Sequence, residues 1–142
     1  MIDNITRLRR VQLELLGAFS EVCEEHGLKW YAFFGTLLGI SRNEGYLPWD
    51  DDVDVAMPME DYLTLCGHRE WFDSARYVLQ TPLDQGLMRF AHLRRNGTTA
   101  FREELIECLK TGGHHGIAID IIPLAELPGM GAYHTPEYYG AA

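Results

Sequence analysis

Eight consecutive residues constrain this chain most: Pro48-Trp49-Asp50-Asp51-Asp52-Val53-Asp54-Val55. Such an acidic run ordinarily marks a solvated loop. Here Val53, Val55 and Met57 follow it in alternation with Asp54 and Ala56, so the run must enter a core strand. Period two over Asp52 to Met57 predicts that strand, ended by Pro58. Residues two apart on a strand share a side, with about 6.6–7 Å between them along the axis. Asp52 and Asp54 are therefore expected on one side, with Val53 and Val55 packing the other. Two such carboxylates repel unless a cation sits between them. Hard oxygen ligands suit Mg²⁺ or Mn²⁺ bridging to phosphates. A pair of these ions about 3.5–4 Å apart serves in-line phosphoryl displacement. An EF-hand does not fit, because Val55 falls where the loop needs glycine and Asp61 where it needs glutamate.

The surroundings predict an α+β domain. Leu8, Val11, Leu15, Leu16, Phe19, Val22 and Cys23 recur at helical spacing, predicting an amphipathic helix over 3–26 capped by Asp3 or Asn4 and stopped by Gly27. Trp30 to Phe34 reads as a short strand. Gly35-Thr36-Leu37-Leu38-Gly39 reads as a tight turn opening a short helix that ends near Gly45. Met59 to Cys66 and Phe101 to Lys110 read as helices, while Arg76 to Gln80, Phe90 to Arg94 and Gly116 to Pro123 read as strands. Residues 129–142 show no periodicity and are expected to form an extended or poorly packed tail after a core spanning 1–128.

Composition narrows the partners. The chain has 142 residues, one ordinary domain, and a net charge of −9. Such a balance offers no excess of Lys and Arg to displace counterions from nucleic acid. The amino-terminal stretch is interrupted by charges before a signal-peptide core can form, and no window is long and apolar enough to span a bilayer. The expected compartment is the cytoplasm. Cys23, Cys66 and Cys108 are odd in number and far apart, which predicts reduced thiols.

Two further elements join the acidic run. Asp120 lies in Ile117-Ala118-Ile119-Asp120-Ile121-Ile122-Pro123, and a lone Asp in such a strand is costly to bury unless paired or bound to metal. It reads either as a third metal carboxylate or as a strand-end cap before Pro123. Gly35 and Thr36 open a helix whose N–H groups and dipole suit an anion, with Arg42 as a further phosphate donor or an ordinary exposed helix arginine.

Gly35-Thr36-Leu37-Leu38-Gly39-Ile40-Ser41-Arg42, followed by Gly45-Tyr46-Leu47-Pro48-Trp49-Asp50-Asp51-Asp52-Val53-Asp54, closely resembles the signature of the LicD family. Phe90-Ala91-His92-Leu93-Arg94-Arg95-Asn96-Gly97-Thr98 and Gly116 to Leu124 resemble its later segments. The resemblance, over roughly residues 10–128, implies a nucleotidyltransferase-like mixed sheet flanked by helices. It implies Mg²⁺-dependent transfer of a phospho-alcohol, such as phosphocholine, from a CDP-linked donor to a sugar hydroxyl of a cell-surface glycan. By that analogy Asp52 and Asp54 hold the metal, and Asp120 is the third carboxylate, either base for the acceptor hydroxyl or a further metal ligand, while Gly35, Thr36, Arg42, His92 and Arg94 contact substrate or phosphate.

Two departures stand out. His92 occupies a place where the family usually has lysine, and histidine is shorter and only partly charged near neutral pH. Family members also usually extend well past the equivalent of Pro128, so a missing acceptor region or partner subunit is expected. The rival readings are a nucleotide-binding module of this fold without turnover, and an Asp-x-Asp glycosyltransferase. The latter usually places its acidic pair after about 100 residues of nucleotide-binding fold rather than at residue 54. His114-His115 reads as a polar loop, since neighbours on an extended chain face opposite ways.

Overall fold

The computed structural model describes residues 3–84, 89–100 and 112–126. The expected helix over 101–110, Cys108 and the tail at 129–142 lie outside the described residues. Helix α1 spans Asn4–His26. Asp3 caps it by accepting from the Thr6 N–H at 2.7 Å. Gly27 ends it at φ 67°, and Leu28 N–H reaches the Cys23 carbonyl at 2.8 Å, a glycine stop of the Schellman type.

Strand β1 is only Tyr31–Ala32, shorter than the five residues Trp30 to Phe34 predict. Phe33 stays extended and donates to the Asp54 carbonyl, but Phe34 turns to φ 45° and starts helix α2, Phe34–Asn43. The reversal is thus made by Phe34, in a backbone region costly for a bulky residue. Gly35 to Gly39 are therefore helical rather than a turn before the helix. Then follow β2 (Asp54–Pro58), α3 (Met59–Cys66), a 3₁₀ turn at Arg69–Trp71, β3 (Tyr77–Gln80), β4 (Ala91–Arg95) and β5 (Ala118–Leu124).

The five strands form one sheet in the order β1-β2-β5-β4-β3, with β2 and β5 parallel and the other pairs antiparallel. Among the described residues this mixed sheet is joined by three α-helices, an α+β fold. Because neighbouring strand residues in register share a side, one side is set by Val55, Ile121 and Ala91 together with Ile119, Leu93 and Leu79. All of these are buried and join Leu15, Phe19, Val22 and Cys23 of α1 and Tyr62 and Leu65 of α3 in a single core. Burial pushes the Cys23 thiol up to about 12 and raises Cys66 as well, which disfavours the thiolate form at both. The opposite side carries the polar alternates: Asp54, Asp120, His92 and Gln80 lie in one row across four strands.

Helix α2 ends against the loop that leads to the acidic run, and one glycine permits it. A Cβ on buried Gly39 would lie 2.2 Å from the Gly45 carbonyl oxygen and 3.0 Å from the Leu47 nitrogen. Both are backbone atoms and cannot swing aside. Gly39→Ala should therefore lower stability by roughly 1–3 kcal/mol, as overpacking does. Urea unfolding measures this, and an unchanged midpoint would disprove the close approach.

Candidate metal centre

Strand pairing brings three of the expected residues together. Asp54 on β2 lies directly opposite Asp120 on the central strand β5, and Asp120 lies opposite His92 on β4. Ile119 and Ile121 anchor β5 in the core on either side of Asp120, which turns its carboxylate to the other face. The Asp54 and Asp120 carboxyl groups are within hydrogen-bond reach of each other. Burial, then the charges of Asp120 and Asp52, then that hydrogen bond and the charge of Asp50, push the Asp54 carboxyl up to about 7. Two ionised carboxylates cannot hydrogen-bond to each other; a proton or a cation must lie between them. That donor chemistry fits a hard divalent cation.

Asp52 arrives by a different route from the one its spacing predicts. Strand β2 begins at Asp54, so Asp52 sits in the preceding loop and shares no strand face with it. The loop folds so that carboxylate oxygens of Asp50, Asp51 and Asp52 lie within 4.8 Å of one another. Asp50 accepts from the Asp52 N–H at 3.2 Å. The acidic cluster is therefore a loop group, Asp50 to Asp52, adjoining a strand pair, Asp54 and Asp120.

A clamp from α1 holds that loop. The Arg9 guanidinium donates to the carbonyls of Leu47 (2.9 Å), Pro48 (3.2 Å) and Asp50 (2.7 Å), and lies 4.7 Å from the Tyr46 ring centre. Gln12, only 2% exposed, donates to the Asp51 carbonyl at 2.6 Å and accepts from the Tyr46 hydroxyl at 2.9 Å. Backbone carbonyls of a loop need such partners when they are turned away from water. None of Arg9, Gln12 and Tyr46 stands out as chemistry in the sequence. The available signal is Gln12, a polar residue inside the apolar stripe of α1.

The first turn of α2 meets the same cluster. The Thr36 hydroxyl oxygen accepts from the Asp54 N–H at 2.9 Å, pinning the helix start to the first residue of β2. A Cβ on Gly35 would stand 2.6 Å from Oδ2 of Asp50. Glycine here lets the Asp50 carboxylate rest against the positive end of the helix. Arg42 is not brought to this end. It is exposed in the last turn of α2, seven residues past Gly35 and thus about 10 Å along the axis. Arg94 shares the polar side of the sheet but is only 6% exposed, donating to Oε1 of Gln80 and, at 2.9 Å, to the Gly116 carbonyl. His92 has its Nδ1 2.7 Å from Oδ1 of Asp120. In the adjoining loop His114 binds the Asn96 side chain at 2.8 Å and accepts from the Gly116 N–H at 2.9 Å, a structural use.

Residues 27–123 match the family model described as LicD/FKTN/FKRP, nucleotidyltransferase domain. The chain belongs to the LicD family. Within it, the lipopolysaccharide cholinephosphotransferase LicD of Haemophilus influenzae is 40% identical over 52 residues, 37% of this chain and 20% of that relative. An uncharacterized protein of Rickettsia prowazekii is 35% identical over 66 residues, 46% of this chain and 25% of its own length. A third relative, from Rickettsia typhi, is 35% identical over 48 residues, 34% of this chain and 16% of its own length. The matched stretches thus span a quarter or less of each relative. No solved structure matches the chain. Among the described residues no helix is long and apolar enough to cross a membrane.

Proposed function

We propose that this LicD-family chain is a metal-dependent transferase of a phospho-alcohol group, phosphocholine or a close analogue, from a CDP-linked donor to a sugar hydroxyl of a surface glycan. The observation that carries this reading is the in-register pairing of Asp54 with Asp120 beside the Asp50–Asp52 loop. That pairing concentrates carboxylates where only a proton or a cation relieves their repulsion. The relationship to a cholinephosphotransferase supports the choice of group.

In this reading Asp52, Asp54 and Asp120 hold Mg²⁺ or Mn²⁺. The ion supplies charge neutralisation at the donor's diphosphate. The N–H groups at Gly35 and Thr36, in the first turn of α2, receive a phosphate oxygen once the Asp50 carboxylate turns away from the helix end. Asp120 takes the proton of the acceptor hydroxyl. The hydroxyl oxygen forms its bond to the phosphorus that bears the alcohol, the bond from that phosphorus to the bridging oxygen breaks, and CMP leaves.

Titrating the chain with CDP-choline, CDP-ribitol, UDP-sugars and nucleoside triphosphates, with and without Mg²⁺, tests the donor class. Tight Mg²⁺-dependent binding of CDP-alcohols is the expected result. Preference for UDP-sugars would point to the glycosyltransferase reading instead. Binding of CDP-choline without transfer to amino-sugar or polyol acceptors would favour a nucleotide-binding module.

A further inference from the structure

We infer that His92 positions the Asp120 carboxylate, and that it does so through Nδ1 rather than by contacting donor phosphate. This rests on the reading of Asp120 as a cation ligand. His92 on β4 and Asp120 on β5 are direct register partners, and their side chains rise from the same side of the sheet. Nδ1 of His92 lies 2.7 Å from Oδ1 of Asp120, and the two side chains are 18% and 26% exposed, so water competes little for the bond. An ionised carboxylate only accepts, so Nδ1 carries the hydrogen and donates it. The Phe90 ring, 5.2 Å from the imidazole centre and tilted by 50°, packs beside the imidazole.

The consequence lies on the other side of Asp120. The terminal torsion of an Asp side chain is broad and poorly fixed by its own rotamer. Tying Oδ1 to a strand-borne imidazole stops that rotation and fixes the direction in which Oδ2 is presented toward Asp54. Outer partners of this kind, donating to a ligating carboxylate, are worth 10–100-fold in metal affinity. A phosphate contact by the same ring would have to use Nε2, because Nδ1 is already committed.

Two near-isosteric replacements separate these roles. The amide nitrogen of asparagine falls where Nδ1 stands, and that of glutamine falls where Nε2 stands. Mn²⁺ affinity of the full chain, measured without nucleotide by counting free Mn²⁺ in electron paramagnetic resonance, should fall about 10–100-fold in His92→Ala and His92→Gln. His92→Asn should restore most of the parental affinity. Metal-free melting temperatures of the Asn and Gln variants serve as the folding control, and if His92→Ala does not fold, the Asn–Gln pair decides. Equal Mn²⁺ affinity in parent and all variants would overturn the positioning role while leaving the metal site standing. Retention of Mn²⁺-dependent CDP-choline binding by Gln, with loss by Asn, would overturn it in favour of an Nε2 contact. A parent chain that binds no Mn²⁺ would overturn the cation site itself, and this inference with it.

Discussion

Replacing Asp52 and Asp54 together by alanine should remove the stabilisation that Mg²⁺ or Mn²⁺ gives the parent, and should leave the metal-free protein at least as stable as before. The two effects have opposite origins. Without a cation, Asp54 is a half-buried carboxyl crowded by Asp120, Asp52 and Asp50, and its ionised form is a liability to the fold. Alanine relieves that repulsion and keeps Val53 and Val55 in the core. With a cation bound, the same carboxylates become its ligands, and ligand binding stabilises the native state by mass action. The gain is about 2.7 kcal/mol at a metal concentration 100 times the dissociation constant. In differential scanning at saturating Mn²⁺ the parent should shift upward and the double variant should not move. Far-UV circular dichroism checks that the sheet is intact. A double variant that keeps the parental Mn²⁺ shift would remove these two residues from the site. One that unfolds without metal would show the carboxylates to be structural.

The elements most legible in the sequence are those set by local chemistry. Asp3, the three-four spacing of Leu15, Phe19 and Val22, and Gly27 determine α1 at both ends. The break at Pro58 separates β2 from α3 as the spacing predicts. Asp120 between two isoleucines announces a central strand whose polar alternate faces away from the core. What stayed hidden depends on tertiary contacts. Period two extends the strand back to Asp52, but Arg9 and Gln12 draw the carbonyls of Leu47, Pro48, Asp50 and Asp51 toward α1 and hold that stretch as a loop. Aromatic residues favour a strand through Phe34, yet the packing of α2 on β2 starts the helix there. The pairing of His92 with Asp120 needs the register between β4 and β5, which no local pattern encodes. Asp50 reads as one carboxylate among several until the space above Gly35 is measured.

The pH dependence should make the proton on Asp54 visible. Its folded-state value is raised to about 7 from an ordinary 3.8, chiefly by burial and by the neighbouring Asp120 charge. A raised carboxyl means that the folded chain binds a proton more tightly than the unfolded chain. The stabilisation is therefore complete below about pH 4, and it is lost as pH rises through about 7. Over that window the metal-free parent should lose stability relative to Asp54→Asn, which carries no such proton. Carboxylates held below their ordinary range, such as Glu14 beside Arg76 and Arg95 or Asp84 beside Arg69, finish titrating at lower pH. They are also common to both proteins and cancel in the difference. Metal binding should show the mirror image, because a proton and a cation compete for the same oxygens. Mn²⁺ affinity should rise about tenfold per pH unit from 5 toward 7, the slope of one displaced proton, and level off above. Calorimetry in two buffers of different ionisation enthalpy should count about one proton released near pH 6. An affinity that stays flat between pH 5 and 7.5 would mean that the cation does not displace the Asp54 proton, and the metal centre would have to be sought in the Asp50–Asp52 loop alone.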